Sequence, residues 1–590
     1  MNALLWVAPI AWPLLVAGMV VVLFWRRAAP RAVPWLVASG PLPALLLAAV
    51  GPRSPAPGLP WVLLDLRLDL DASARILLLA AALVWSAAGI AARRLTTERW
   101  STACLWSLTL AGNVGLILAA DLISLYTFYA IMTFAAYGLV VHDRTEVTRR
   151  AGRVYVTMAV LGEALLISGL VLAAGAAGST DNAVVAAALA DADRRELIVG
   201  LVTAGFAVKA GIVPLHVWLP LAHPAAPVPA SAALSGAMIK AGLVGWLSVL
   251  PLGFVSATGW AVALITAGLV TAYAGAVIGV LQDRAKVVLA YSSISQMGLI
   301  TVLVGVAFVS PATAPVAVAG AVTYALHHGV AKGALFLGVG VRVAWGGERG
   351  RWLVVAGAVF AGLSLAGAPL TSGFVAKAAM KEAVATIGTP WAARLTTALA
   401  VAAIGTTLLI ARVLVLLARP NQADHHGLRP STAGERSLVA GWTLLLLATA
   451  VTTWTVPARW SAEVPPTAVY PAALLASTWP VLVGVVLAWA TVLLWRRRAT
   501  EAGTPWIPAG DLAVLAERAA PRARRAAIRS VVATTAARDH LGGWIGRFEA
   551  RLRPGEGFAR LDVALRRWQV AGGLFLLVGA ALIVALGGVG

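Results

Sequence analysis

Apolar residues run through this chain in blocks of about twenty, separated by short segments rich in arginine, glycine and proline. A hydrocarbon core about 30 Å thick is crossed by roughly 20 helical residues, so each block has the length of one crossing. The pattern predicts an all-α polytopic membrane protein of about sixteen transmembrane helices. Their spans are about 4–25, 33–51, 73–92, 101–119, 121–141, 154–175, 196–216, 228–251, 257–281, 285–307, 314–340, 352–375, 391–418, 437–456, 470–495 and 568–588. Between the last two, 505–560 is rich in alanine and arginine, with Leu512, Leu515, Ile528 and Val532 at helical spacing. It is too charged to span and reads as an amphipathic lateral helix on the cytoplasmic surface.

Composition agrees with burial in lipid. Of 590 residues 60% are hydrophobic and 12% charged, against about 25% charged in soluble domains. The net charge of +21 does not point to nucleic acid, because the arginines sit in short clusters between apolar blocks. Arg26, Arg27 and Arg31 follow the first span, Arg144, Arg149, Arg150 and Arg153 the fifth, Arg284 and Lys286 the ninth, and Arg342, Arg349 and Arg351 the eleventh. Odd-numbered helices therefore end in the cytoplasm, which places the N-terminus outside a plasma (inner) membrane. The first block lacks a basic leader and reads as a retained span. The single cysteine, Cys104, excludes an intramolecular disulfide and any cysteine-held cluster; no dinucleotide or phosphate-loop motif stands in context. No cofactor or metal is expected in this chain.

Two spans are interrupted at corresponding places, the seventh between Lys209 and Pro214 and the twelfth in GLSLAGAPLTSGFVAK. Paired broken helices five apart are the sequence sign of inverted repeats with an ion path between them. The expected division is helices 1–3 over 1–100, a first repeat over 101–251, a second over 257–418, helices 14 and 15 over 437–495, the lateral helix over 505–560 and the last span over 568–588.

Ionisable residues inside spans are costly, so those present are candidates for function. Lys209 precedes the first break, and a buried lysine changes protonation readily. Lys240, in SGAMIKAG, lies mid-span with nothing to snorkel toward. In YALHHGVAKG, His328 and Lys332 share a helix face, as do Tyr324 and His328, and one of the adjacent His327 and His328 must point elsewhere. Histidine titrates near neutrality and suits a relay between lysines. Lys377 follows the second break, and His223, at a bend, either takes protons in or hydrogen-bonds the broken backbone. Glu163 lies near the centre of the sixth span, where an unpaired carboxylate is as costly as a lysine.

The stretches FAVKAGIVPLHVWLP, LAHPAAPVPASAALSG and AMIKAG resemble the central signature of the antiporter-like subunits shared by respiratory complex I, Mrp-type cation/proton antiporters and membrane-bound hydrogenases. The likeness extends from about Asp121 to Lys381. It implies a repeat of helices four to eight and nine to thirteen, with Lys209 as the central switching lysine, Lys240 as a relay and Lys377 as the outlet lysine. The chain departs from that pattern at Ala130, where the family usually has a glutamate, and at Leu221, where it often has an aspartate. Losing an anion beside a buried lysine weakens an electrostatic switch; Glu163 is expected to pair with Lys209 instead. The resemblance implies a proton-translocating subunit of a larger ion-pumping complex, with other membrane subunits, lipid and protons as partners, and leaves open whether sodium or potassium is countertransported. Its alternatives are an energy-coupling subunit for inorganic-carbon uptake and a non-pumping scaffold of the same fold.

Overall fold

Asp71, Asp121, Thr145 and Asp181 each start a helix by accepting a backbone N–H of its first turn, as capping residues do. The computed structural model describes residues 2–498 apart from 27–30, 52–55, 57, 59–62, 64, 346–347, 389, 420–431, 462 and 464–470, and past 498 only Leu512 and Val514. The expected lateral helix, but for those two residues, and the expected last span lie outside the described residues.

In chain order the helices are α1 (Asn2–Trp25), α2 (Val33–Ser39), α3 (Leu42–Val50), α4 (Ala72–Ala91), α5 (Arg93–Glu98), α6 (Trp100–Leu118), α7 (Leu122–Val140), α8 (Glu146–Ala177), α9 (Asn182–Ala188), α10 (Arg195–Ala210), α11 (Leu219–Ala225) and α12 (Val228–Gly236). There follow α13 (Ala241–Val249), α14 (Thr258–Val280), α15 (Ala285–Ala307), α16 (Ala314–Ala344), α17 (Glu348–Ala366), α18 (Ser372–Ala385), α19 (Trp391–Ala418), α20 (Thr432–Thr455), α21 (Pro457–Trp460) and α22 (Pro471–Arg498). Among the described residues there is no strand; isolated bridges join Leu68 to Ala119 and Asp121 to Asp181 at one end of the bundle.

Thirteen of these segments are long and apolar enough to cross a membrane, and the protein is a multi-pass membrane protein. The expected seventh span is not among the thirteen because α10 stops after 16 residues. The eleventh, α16, is continuous but carries His327, His328, Lys332 and Arg342, and it tolerates them because all four are buried against other helices rather than lipid. The most enclosed helix is α15, every residue of which is buried. It meets α14 backbone to backbone, since a Cβ on Gly298 would stand 2.5 Å from the Gly268 carbonyl oxygen.

Both expected breaks are present and have one geometry. After α10, Gly211 takes φ +72°; its N–H donates to Val208 O at 3.3 Å and that of Ile212 to Ala207 O at 3.1 Å. After α17, Gly367 takes φ +81°; its N–H donates to Ser364 O at 2.9 Å and that of Ala368 to Leu363 O at 3.0 Å. Each is a Schellman stop, in which a left-handed glycine turns the chain and satisfies the last carbonyls.

Two further interruptions were not expected. The second span divides into α2 and α3 at Gly40 and Pro41, and the eighth passes through a 3-10 turn over Met238–Lys240 between α12 and α13. Lys286, read from sequence as a cytoplasmic-loop charge, is instead buried in the first turn of α15 and donates to Ala226 O at 2.6 Å. Arg342, also read as a loop charge, is buried at the end of α16 and donates to Leu417 O and Arg419 O, each at 3.0 Å. In both cases a freed backbone carbonyl draws the cation inward.

Candidate functional site

Lys209 occupies the last turn of α10, where the negative end of the helix favours a cation. Its ammonium is buried over two tyrosine rings, 5.3 Å from the centre of Tyr129 and 5.7 Å from that of Tyr155. Tyr155 donates to Thr133 O at 2.9 Å and stands edge-on to Trp218 at 5.2 Å. Trp218 in turn donates to Val208 O at 2.8 Å, so the broken backbone is held by the same aromatic set that surrounds the lysine. Ala130 is buried beside Tyr129. Glu163 is buried as well and interacts electrostatically with Lys209 and Tyr126. Its carboxyl thus faces the Tyr126 hydroxyl as well as the Lys209 ammonium.

The aromatic cradle gives a test of its own. Tyr155→Phe keeps the ring and gives up one hydrogen bond, worth about 1 kcal/mol, and the thermal midpoint is expected to fall only slightly. Tyr155→Leu also removes a cation–π contact worth up to about 2 kcal/mol when desolvated, and the thermal midpoint is expected to fall further.

A second group lies where α12, α15, α16 and α18 meet. The Lys240 ammonium donates to Ser235 O at 2.6 Å, near the end of α12. The Ser235 hydroxyl lies 2.7 Å from that of Ser293, which donates to Leu289 O at 3.0 Å; Lys332 donates to the same carbonyl at 2.8 Å. Lys240 and Lys332 are thereby joined through two serines and a backbone oxygen. His328 interacts electrostatically with both, and His223, stacked on Phe336 at 4.6 Å, interacts with Lys286, Lys332 and Lys240.

The adjacent histidines diverge, as a 100° step around a helix requires. His327 Nδ1 lies 3.1 Å from the Ser372 hydroxyl, which is 2.7 Å from that of Ser364. It interacts with Lys377, whose ammonium donates at 2.5 Å to Ala366 O, the last carbonyl of α17. Both histidines are fully buried.

Two observations describe what this arrangement can do. The buried acids among the described residues are Glu163 and Asp121, against buried Lys209, Lys240, Lys286, Lys332 and Lys377. Neighbouring lysines repel when both are charged, so a proton on one disfavours a proton on the next. In addition, both nitrogens of His223 and of His328, and His327 Nε2, are buried without protein hydrogen-bond partners. Buried polar atoms are rarely left so, and water is the partner that fits groups along such a line. Between Lys209 and Lys240 the packing is apolar: Gly242 and Gly245 of α13 press on Phe206 and Ala210 of α10.

Sequence reasoning missed Lys286, Tyr129 and Tyr155. Lys286 stood two residues from Arg284 and resembled a loop charge, and no spacing rule tells which face of α7 or α8 turns toward Lys209.

Residues 119–403 match the family model for the NADH:quinone oxidoreductase/Mrp antiporter transmembrane domain. The chain is 31% identical over 244 residues to hydrogenase-4 component B of Escherichia coli, covering 40% of this chain and 36% of that protein. It is 29% identical over 329 residues to a Na(+)/H(+) antiporter subunit of Bacillus subtilis, covering 53% and 66%. In fold it is similar to a chain of the Mrp complex from Dietzia, with a TM-score of 0.69 at 23% identity, over 94% of this chain and 62% of that one. The chain thus spans less than two thirds of the length of these curated relatives.

Proposed function

We propose, from the premise that residues 119–403 are an antiporter-like membrane domain of the NADH:quinone oxidoreductase/Mrp kind, that this chain carries protons as one subunit of a larger membrane complex. The observation that supports this most is the chain of interactions among buried titratable groups running from Lys240 through His328, Lys332 and His327 to Lys377. Lys209 and Glu163 form the intake end of the route, separated from Lys240 by the Phe206 seam. Water crossing that seam would connect the two halves, and repulsion between neighbouring lysines would drive the proton onward. Lys377 is the outlet, and His223 feeds the middle of the line.

In this reading α6 to α13 and α14 to α19 are the two inverted repeats, with the twin Schellman stops at Gly211 and Gly367 in corresponding places. The chain sits in the plasma membrane with its N-terminus outside, beside other membrane subunits. The coupled reaction or exchanged cation belongs to the assembled complex. The relatives include a Na(+)/H(+) antiporter subunit and a hydrogenase component, so sodium exchange and redox driving are the two cases to separate.

Inverted vesicles from cells that carry the complex decide the matter. A pH gradient that forms or collapses only when this chain is present is the expected result, and equal proton flux in vesicles lacking it would refute the reading. Sodium or potassium added to the same vesicles reads exchange directly.

A further inference from the structure

A cavity of about 990 Å³ opens at the end of the bundle where α4 begins and α6 ends. Its rim carries Asp65, Asp69, Asp71 and Asp181 with Arg67 among them, and Ser248 lies on its wall. Arg67 is partly neutralised by Asp65 at 2.9 Å and Asp181 at 3.6 Å, so the rim is net negative. An anionic mouth raises the local concentration of cations, hydrated protons included.

Leu77, Ile117 and Val244 are among the residues that line the cavity. The same three side chains also bound a second void of about 10 Å³, whose remaining walls include Asn113 and Lys240. That is about the space one water needs; Asn113 is engaged with Trp85 and Met132, and the Lys240 ammonium, which gives one hydrogen bond to Ser235 O, has further N–H groups to offer. One apolar collar therefore separates the large cavity from a water-sized space against a buried lysine.

We propose that this cavity is an aqueous passage between Lys240 and the face of the membrane opposite the arginine-rich loops, closed by the collar of Leu77, Ile117 and Val244. It deepens the proposed proton route by giving the first half its own opening, beside the outlet at Lys377. When the collar admits water, a proton on the Lys240 ammonium passes to the water in the small void and on into the acidic cavity. Lys240 is left as the neutral amine, ready to take the next proton from the line.

The passage is tested by thiol labelling of the assembled complex, which does not depend on transport. In a Cys104→Ala background, single variants Val244→Cys, Leu77→Cys, Ile117→Cys and Ser248→Cys are exposed to a membrane-impermeant cationic methanethiosulfonate from either side. Arg149→Cys marks the arginine-rich side, and Val304→Cys, buried in α15, marks sealed interior. Val244→Cys is expected to react from the face opposite Arg149→Cys, faster with the cationic reagent than with an anionic one, and to stop reacting when Leu77→Trp fills the collar. Reaction at Ser248→Cys with none at the three collar positions would overturn the proposal, as would reaction from the Arg149→Cys side alone. Should Lys240→Ala transport normally while the collar still labels, the proton route fails and the passage stands.

Discussion

Lys240→Ala is expected to reduce proton flux through the complex by at least about a hundredfold, since each tenfold loss corresponds to about 1.4 kcal/mol of barrier. Lys240 is the point where the lines of interaction meet: it interacts electrostatically with His223, His327, His328 and Lys332. Its loss therefore leaves a gap in the middle of the line that proton transfer cannot bridge. Folding is expected to survive. An ammonium in an apolar bundle carries a desolvation penalty of several kcal/mol that one carbonyl contact repays only in part. Removing it should leave the thermal midpoint of the purified complex unchanged or higher. Loss of flux together with loss of stability would instead mark Lys240 as a structural tie to Ser235 O.

The second large effect is expected at Gly367→Ala. The left-handed backbone there, φ +81°, is strained for alanine by about 1–2 kcal/mol. The new methyl would stand 2.5 Å from Lys377 Cδ and 3.2 Å from its ammonium nitrogen, so the lysine must shift from its place beside Ala366 O. Both a lower thermal midpoint and loss of flux are expected. Gly388→Ala is the control, because Gly388 has φ +86° and nothing lies within 4 Å of the place its methyl would take. It should lower stability alone. Equal flux loss in the two variants would show that backbone strain, rather than displacement of Lys377, is responsible.

How far the sequence could be read varies with the kind of signal. The break after Lys209 was legible because Pro214 cannot continue a helix, and the break at Gly367 because GAPLTSG supplies both a glycine and a proline. The kink before Lys240 was not, since Ala237, Met238 and Ile239 carry no helix-breaking chemistry; it arises where α12 packs on α16 with Gly236 against Gly329. Burial of Glu163 followed from its apolar surroundings, whereas its approach to Tyr126 as well as Lys209 depends on how α8 rests on α10. There Gly162 is in contact with Val208 and Gly205, a rotation that no local pattern encodes. The tyrosines over Lys209 were hidden for the same reason. Tyr129 stands next to Ala130, and its ring lies under the ammonium. Lys286 was misread because charge clusters mark a membrane face only where the backbone they adjoin has no buried carbonyl to draw them in.

A density map of the assembled complex, sharp enough to show ordered water, tests the proton route most directly. A file of waters joining Lys240, His328, His327 and Lys377, with water also bound to the Glu163 carboxyl, is the expected result. Dry, close-packed side chains between His328 and His327, or between His327 and Lys377, would contradict it and leave an antiporter-like fold that does not carry protons.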